Sequence, residues 1–226
     1  MSTSPRITTY EEARELVQAC GILPLAPAVP DHPSLGACTP PEAWHTGEES
    51  DPWTWRVRFP VAGDAAYGKF FRGKSVLIAP DLFPLLKTAA SRGASVRDRY
   101  RDGLLPREAL VLYETIEASG RIDTRELRAA AGMKARESKA GYERGIRALQ
   151  EAMDVVVTGA HVRYQADGRP SGWSSVSYAL AETWMSESHI EPEALPLTAA
   201  RRSARQRLEE AVSEEALLFF RKLYLL

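Results

Sequence analysis

Only two cysteines, Cys20 and Cys38, occur in the chain. Their spacing fits no zinc, haem or redox pattern, so both are read as reduced structural thiols. The four histidines, at 32, 45, 161 and 189, show neither a His-x3-His nor an HExxH spacing, and no GxSxG elbow, P-loop or GxGxxG stretch occurs. Metal, serine-hydrolase and nucleotide-cofactor chemistry therefore have no positive support, and no metal or cofactor is expected. No apolar run approaches the roughly 18 residues of a membrane span. The first twenty residues carry an acidic amphipathic stretch in place of an apolar signal block, so a cytoplasmic protein with no membrane partner is expected. The 15 glycines and 15 prolines follow no tripeptide period, and 44% hydrophobic content is too high for a disordered chain. What remains is a globular protein of 226 residues, long enough for one large domain or two small ones.

A net charge of -1 hides segregation. Residues 1–55 carry 2 basic and 8 acidic side chains, residues 56–147 carry 19 and 11, and residues 148–226 carry 8 and 11. The middle of the chain is thus suited to a polyanion. Arginine greatly outnumbers lysine and alanine is abundant, as a GC-rich coding sequence would also produce, so only the placement of the cations carries weight.

Thr9-Tyr10-Glu11-Glu12 opens a helix over about 10–20, with Ala13, Leu16, Val17 and Cys20 at helical spacing and Gly21 placed to end it. Residues 23–52 are rich in proline and read as an irregular segment anchored by Leu23, Leu25, Val29, Leu35 and Trp44. Trp53–Phe59 alternates apolar and polar residues, which predicts a half-buried strand with Arg56 and Arg58 on its outer face. Asp64 is placed to cap a short helix through Phe71, Ser75–Ala79 reads as a buried strand, and Asp81 is placed to cap a helix through about Ser91. Residues 92–103 bring four arginines and two aspartates and read as a linker.

The pattern then sharpens. Leu105, Ala109, Leu112, Tyr113 and Ile116 form the stripe of an amphipathic helix ending at Ser119-Gly120. Asp123 and Glu126 form a capping box, with Ile122 and Leu127 as its staple, for a second helix over about 124–131. A third helix from Glu137 to Met153 places Tyr142, Ile146, Leu149 and Met153 inward. Asp154–Thr158, the Asp167-Gly168 turn and Trp173–Leu180 follow as strand, turn and strand. Three helices and a β-hairpin over about 75 residues are what a winged helix-turn-helix needs. Lys134, Arg136, Lys139, Arg144 and Arg147 would then serve the third helix, and Arg163 and Arg169 the wing, by neutralising phosphates. Glu137, Glu143 and Glu151 interrupt this surface, which leaves a protein-binding role open. Tyr142 and Trp173 read as packing aromatics.

Trp53–Phe59, Tyr67–Phe71, Lys74–Pro84 and the segment through Trp184 together resemble the AlkZ-like winged-helix proteins, bacterial DNA glycosylases and shorter relatives of unassigned activity. The resemblance covers about 50–225 and is strongest in Ala140–Gly159 and Ser213–Tyr224. It implies a duplex-binding scaffold. The enzymes of that family use a Gln-hydrophobic-Gln or Gln-hydrophobic-Asp motif to position the attacking water. The sole match to that spacing here, Gln165-Ala166-Asp167, falls in the expected wing turn and not in the family's catalytic location, so no catalytic residue is assigned.

The expected architecture is α+β: an N-terminal α/β domain over 1–91, a linker over 92–103, a winged helix over 104–185 and a helical tail over 186–226. In the tail, Arg201, Arg202, Arg205 and Arg207 precede an apolar end at Leu223–Leu226, which invites burial against the N-terminal domain or a second copy. Three functions stay open: double-stranded DNA binding in regulation or repair, a glycosylase on the same scaffold, and a non-catalytic protein- or ligand-binding module.

Overall fold

The computed structural model describes residues 6–161 and 175–226. It is a mixed α+β fold with the order α1 (Tyr10–Cys20), β1 (Ile22–Pro24), α2 (Leu35–Cys38), α3 (Pro52–Ala62), β2 (Ala66–Phe71), β3 (Lys74–Ile78), α4 (Phe83–Ala90), α5 (Val96–Arg101), α6 (Arg107–Ser119), β4 (Arg121–Asp123), α7 (Thr124–Ala130), α8 (Lys139–Glu151), β5 (Val155–His161), β6 (Ser175–Leu180), α9 (Ala181–Glu187), α10 (Leu197–Glu209) and α11 (Glu214–Tyr224). Among the described residues no helix is long and apolar enough to cross a membrane. The strands form two antiparallel sheets of three, ordered β1-β3-β2 and β4-β6-β5.

Where local chemistry is strong, the elements stand where it puts them. Thr9 and Glu12 close a reciprocal capping box on α1, and Gly21 at φ 74° ends it. The Ser75–Ala79 run is β3, and Asp123 caps α7 by accepting from the Arg125 backbone N–H at 2.7 Å.

The expected strand at Trp53–Phe59 is instead part of α3. Asp51 caps it through the Trp53 backbone N–H at 2.8 Å, and Pro52 supplies the fixed φ of a first helical turn. The helix buries Pro52, Trp55, Arg56, Phe59 and Pro60 at helical spacing and leaves Val61 63% exposed. Arg56, expected outside, is therefore inside. The expected helix from Asp64 to Phe71 is strand β2, because Arg72 and Gly73, at φ 47° and 70°, reverse the chain so that 66–71 pair with β3. Asp64 instead accepts from the Tyr10 hydroxyl at 2.7 Å. Asp81 does not cap α4 but takes the Arg207 guanidinium at 2.7 Å.

The 92–103 stretch contains α5, whose Arg99 reaches Asp154 at 2.6 Å with both residues buried. The two buried clusters each draw on both sides of it. Trp55, Phe59 and Leu77 belong with Leu112, Ile116 and Leu149, whereas Ile22, Phe70 and Phe83 belong with Met153, Trp184 and Phe220. The tail packs back through Leu208, Ala216, Phe220 and Tyr224, leaving Leu225 55% exposed.

Candidate nucleic-acid interface

The segment from α6 to β6 runs helix, strand, helix, helix, strand, strand, with β4 joining the outer edge of β6 through Arg121↔Ala179, Ile122↔Tyr178 and Asp123↔Ser177. β4 has only three residues and carries no periodic signal of its own. Helix α8 lies against α6 because Gly145 has no side chain: a Cβ there would sit 2.9 Å from the Glu108 carbonyl carbon and 3.0 Å from the Ala109 nitrogen. Tyr142, Ile146 and Leu149 form its buried face. Arg128 braces the turn leading into it, donating from Nε to the Met133 carbonyl at 3.1 Å and lying 5.5 Å from the Tyr142 ring centroid.

The opposite face of α8 is open. Lys139, Arg144 and Arg147 are exposed on it, with Lys134 and Arg136 exposed in the turn before it. Two of these cations are partly committed, since Lys139 lies 3.8 Å from Glu143 and Arg144 holds Glu108. Glu108 is kept below the usual carboxylate range by its own backbone N–H and then by Arg144. Lys134, Arg136 and Arg147 have no side-chain partner among the described residues. Arg163, Arg169, Trp173 and the Gln165-Ala166-Asp167 stretch lie outside the described residues.

Three further cations escaped the sequence reading. The β2–β3 hairpin docks beside the C-terminal end of α8, where the Lys69 backbone N–H donates to Gln150 Oε1 at 2.9 Å and that of Gly73 to Glu151 Oε1 at 3.2 Å. This places exposed Lys69, Arg72 and Lys74 next to the last turn of α8. Their signal is the alternation of basic and apolar residues from Lys69 to Lys74, legible only once the segment is known to be a hairpin. The tail arginines are partly used within the chain: Arg207 binds Asp81 and the Gln18 carbonyl at 2.6 Å, and Arg205 binds Glu209 at 2.6 Å.

A second feature is a cavity of about 630 Å³ between α3 and the β4-β6-β5 sheet. Val57 and Val61 form one wall, Thr158 and Ser177 belong to the sheet side, and Arg121 and Arg125 also line it. The Thr158 hydroxyl is sealed from solvent and makes no hydrogen bond among the described residues. Asp123, also in the lining, is engaged by the Arg125 backbone and by Ser175. No group of three or more His, Cys, Asp or Glu side chains among the described residues is placed to hold a metal ion.

The sequence model of a family described as AlkZ related matches residues 7–225. The chain belongs to the AlkZ-related family. Among the described residues the match covers both sheets and all eleven α-helices, so α8, the hairpin beside it and the cavity all fall within the family's extent. No curated protein and no solved structure matches the chain significantly.

Proposed function

We propose that this AlkZ-related protein binds double-stranded DNA through a winged helix formed by α6 to β6, with α8 as its recognition helix. The observation that carries the reading is the open outer face of α8. It presents Lys139, Arg144 and Arg147 on an element whose other face is buried, between a basic turn and the basic tip of the β2–β3 hairpin. Basic side chains on such a face neutralise backbone phosphates and release counterions, so the contact is steeply salt-dependent and weakly selective for sequence.

The test is fluorescence anisotropy of a labelled random-sequence duplex over a range of salt, comparing the native chain with Arg144→Ala/Arg147→Ala and with Lys69→Ala/Lys74→Ala. Binding that falls steeply with salt, with a slope reduced by about one for each phosphate contact removed, supports the reading. No binding at low salt, or binding indifferent to both variants, overturns it.

A second reading, a base-excision glycosylase on the same scaffold, is favoured by the cavity beside β5. Its volume admits an extruded base, and its lining includes the polar residues Arg121, Arg125, Glu126 and Ser177. Release of a damaged base from duplexes carrying alkylated bases would support it, and intact glycosidic bonds in all of them would remove it.

A further inference from the structure

Glycine destabilises a helix interior, yet α8 carries two of them one turn apart, Gly141 and Gly145. Gly145 is accounted for by the backbone of α6, which passes too close for a side chain. Gly141 is different. The three atoms nearest a Cβ there would all belong to the Glu108 side chain, Oε1 at 3.0 Å, Cγ at 3.3 Å and Cδ at 3.5 Å. The space left by the missing side chain is thus taken up by Glu108.

This packing lays the Glu108 carboxylate against α8, where Oε1 accepts from Arg144 Nη2. The Glu108 side chain is 29% exposed, against 57% for Glu143, whose contact with Lys139 is an ordinary pair within one helix. Glu108 also stands in the first turn of α6, where the free backbone N–H groups favour a carboxylate. A groove of about 620 Å³ adjoins the pair, lined among others by Arg107, Glu108, Gly141 and Arg144, and it has room for a phosphate group. Arg107 has no hydrogen bond or ion pair among the described residues. The guanidinium of Arg144 therefore lies at the edge of a space open to a second anion while one anion already holds it.

We propose that Glu108 is an internal competitor of the nucleic acid: it occupies Arg144 in place of a phosphate, and duplex binding exchanges its carboxylate for a phosphodiester oxygen. This role rests on the reading of α8 as the duplex-binding helix and adds the residue that limits its affinity. A guanidinium accepts carboxylate and phosphate oxygens in the same geometry, so the exchange needs a swing of one side chain and no change of backbone. Arg147, which has no partner among the described residues, meets the duplex without such an exchange. The two arginines at the centre of the interface thus differ: one is free and one is held.

The experiment is fluorescence anisotropy of the labelled random-sequence duplex at low salt with the full chain, for the native protein, Glu108→Gln, Glu108→Ala, Arg144→Ala and the double variants, each checked for folding by urea denaturation. Glu108→Gln removes the competing charge and keeps the shape, and Glu108→Ala removes the acceptor as well. Glu108→Ala is expected to bind about two- to fivefold more tightly than the native chain, the range that an exposed ion pair sets, and Glu108→Gln to gain in the same direction. Both gains are expected to vanish in the Arg144→Ala background, because the competition acts through that one guanidinium. A gain of equal size in both backgrounds shows Glu108 repelling the duplex through the general field and overturns the exchange. Lower stability with no gain in affinity makes Glu108 a residue of the α6 start and overturns it too. Binding by the native chain with no gain in either Glu108 variant removes the exchange alone, whereas no binding by any of the proteins removes the reading of α8 and the exchange with it.

Discussion

Arg99 and Arg56 are equally buried, each 5% exposed, and their surroundings are opposite. Arg99 places Nη2 2.6 Å from Asp154 and so ties α5 to the start of β5. Asp154 is nevertheless strained as a charge: burial pushes its carboxyl up to about 6 against the pull of Arg99, and its second oxygen has no partner. Among the described residues Arg56 has no carboxylate within ion-pair distance; it lies over an aromatic ring and is held below the usual arginine range by burial. One cation is closed by the fold and serves the fold. The other finds no acceptor among the described residues, and only its Nη groups keep access to solvent.

The largest expected effect that tests this contrast comes from removing one member of the closed pair. Asp154→Ala or Arg99→Ala should lower stability by about 3–5 kcal/mol in urea denaturation, because the remaining charge stays buried without a partner. A loss below about 1 kcal/mol would erase the distinction between the two arginines. Next in size is the pH dependence of the same pair. The Asp154 value in the folded protein lies above its ordinary 3.8, so its contribution is greatest below pH 3.8 and is lost as the pH rises through about 6. Urea midpoints from pH 4.5 to 7.5 should fall by an amount on the order of 2–3 kcal/mol in stability, and Asp154→Asn should remove that slope.

At Arg56 the sign reverses. Arg56→Met, which replaces an unpaired charge by an apolar chain of similar length, should raise stability by about 1 kcal/mol in the same denaturation assay. A loss comparable to that of Arg99→Ala would make Arg56 a structural residue. The smallest stability effect belongs to the surface: Arg144→Ala/Arg147→Ala should stay within about 0.5 kcal/mol of the native chain while lowering the salt slope of duplex binding by about two.

Much of the region from α6 to β6 was legible because its signals are local and redundant. The apolar stripe of Leu105 to Ile116, the Asp123 cap and the inward face of α8 each rest on residues three or four apart, and each agrees with the next. The N-terminal part was harder for a specific reason. Trp53, Trp55, Val57 and Phe59 satisfy period two, while Pro52, Trp55, Arg56, Phe59 and Pro60 satisfy the helical period only if an arginine is allowed inside. Hydrophobicity alone prefers the first pattern, and the Asp51 cap with Pro52 decides for the second. The interface was half legible in the same way: Lys139, Arg144 and Arg147 follow from helical spacing, but Lys69, Arg72 and Lys74 join them only through the docking of a hairpin.

By itself the sequence determined the starts and stops of α1 and α7, the amphipathic faces of α6 and α8 and the buried run of β3, because caps, turns and periodic burial act within a few residues. Tertiary structure alone decided which charges have partners. Arg99 finds Asp154 across 55 residues, and the Lys69 backbone finds Gln150 across 81. The worth of a buried charge depends on what lies within a few ångströms of it in space, a distance that spacing along the chain does not encode.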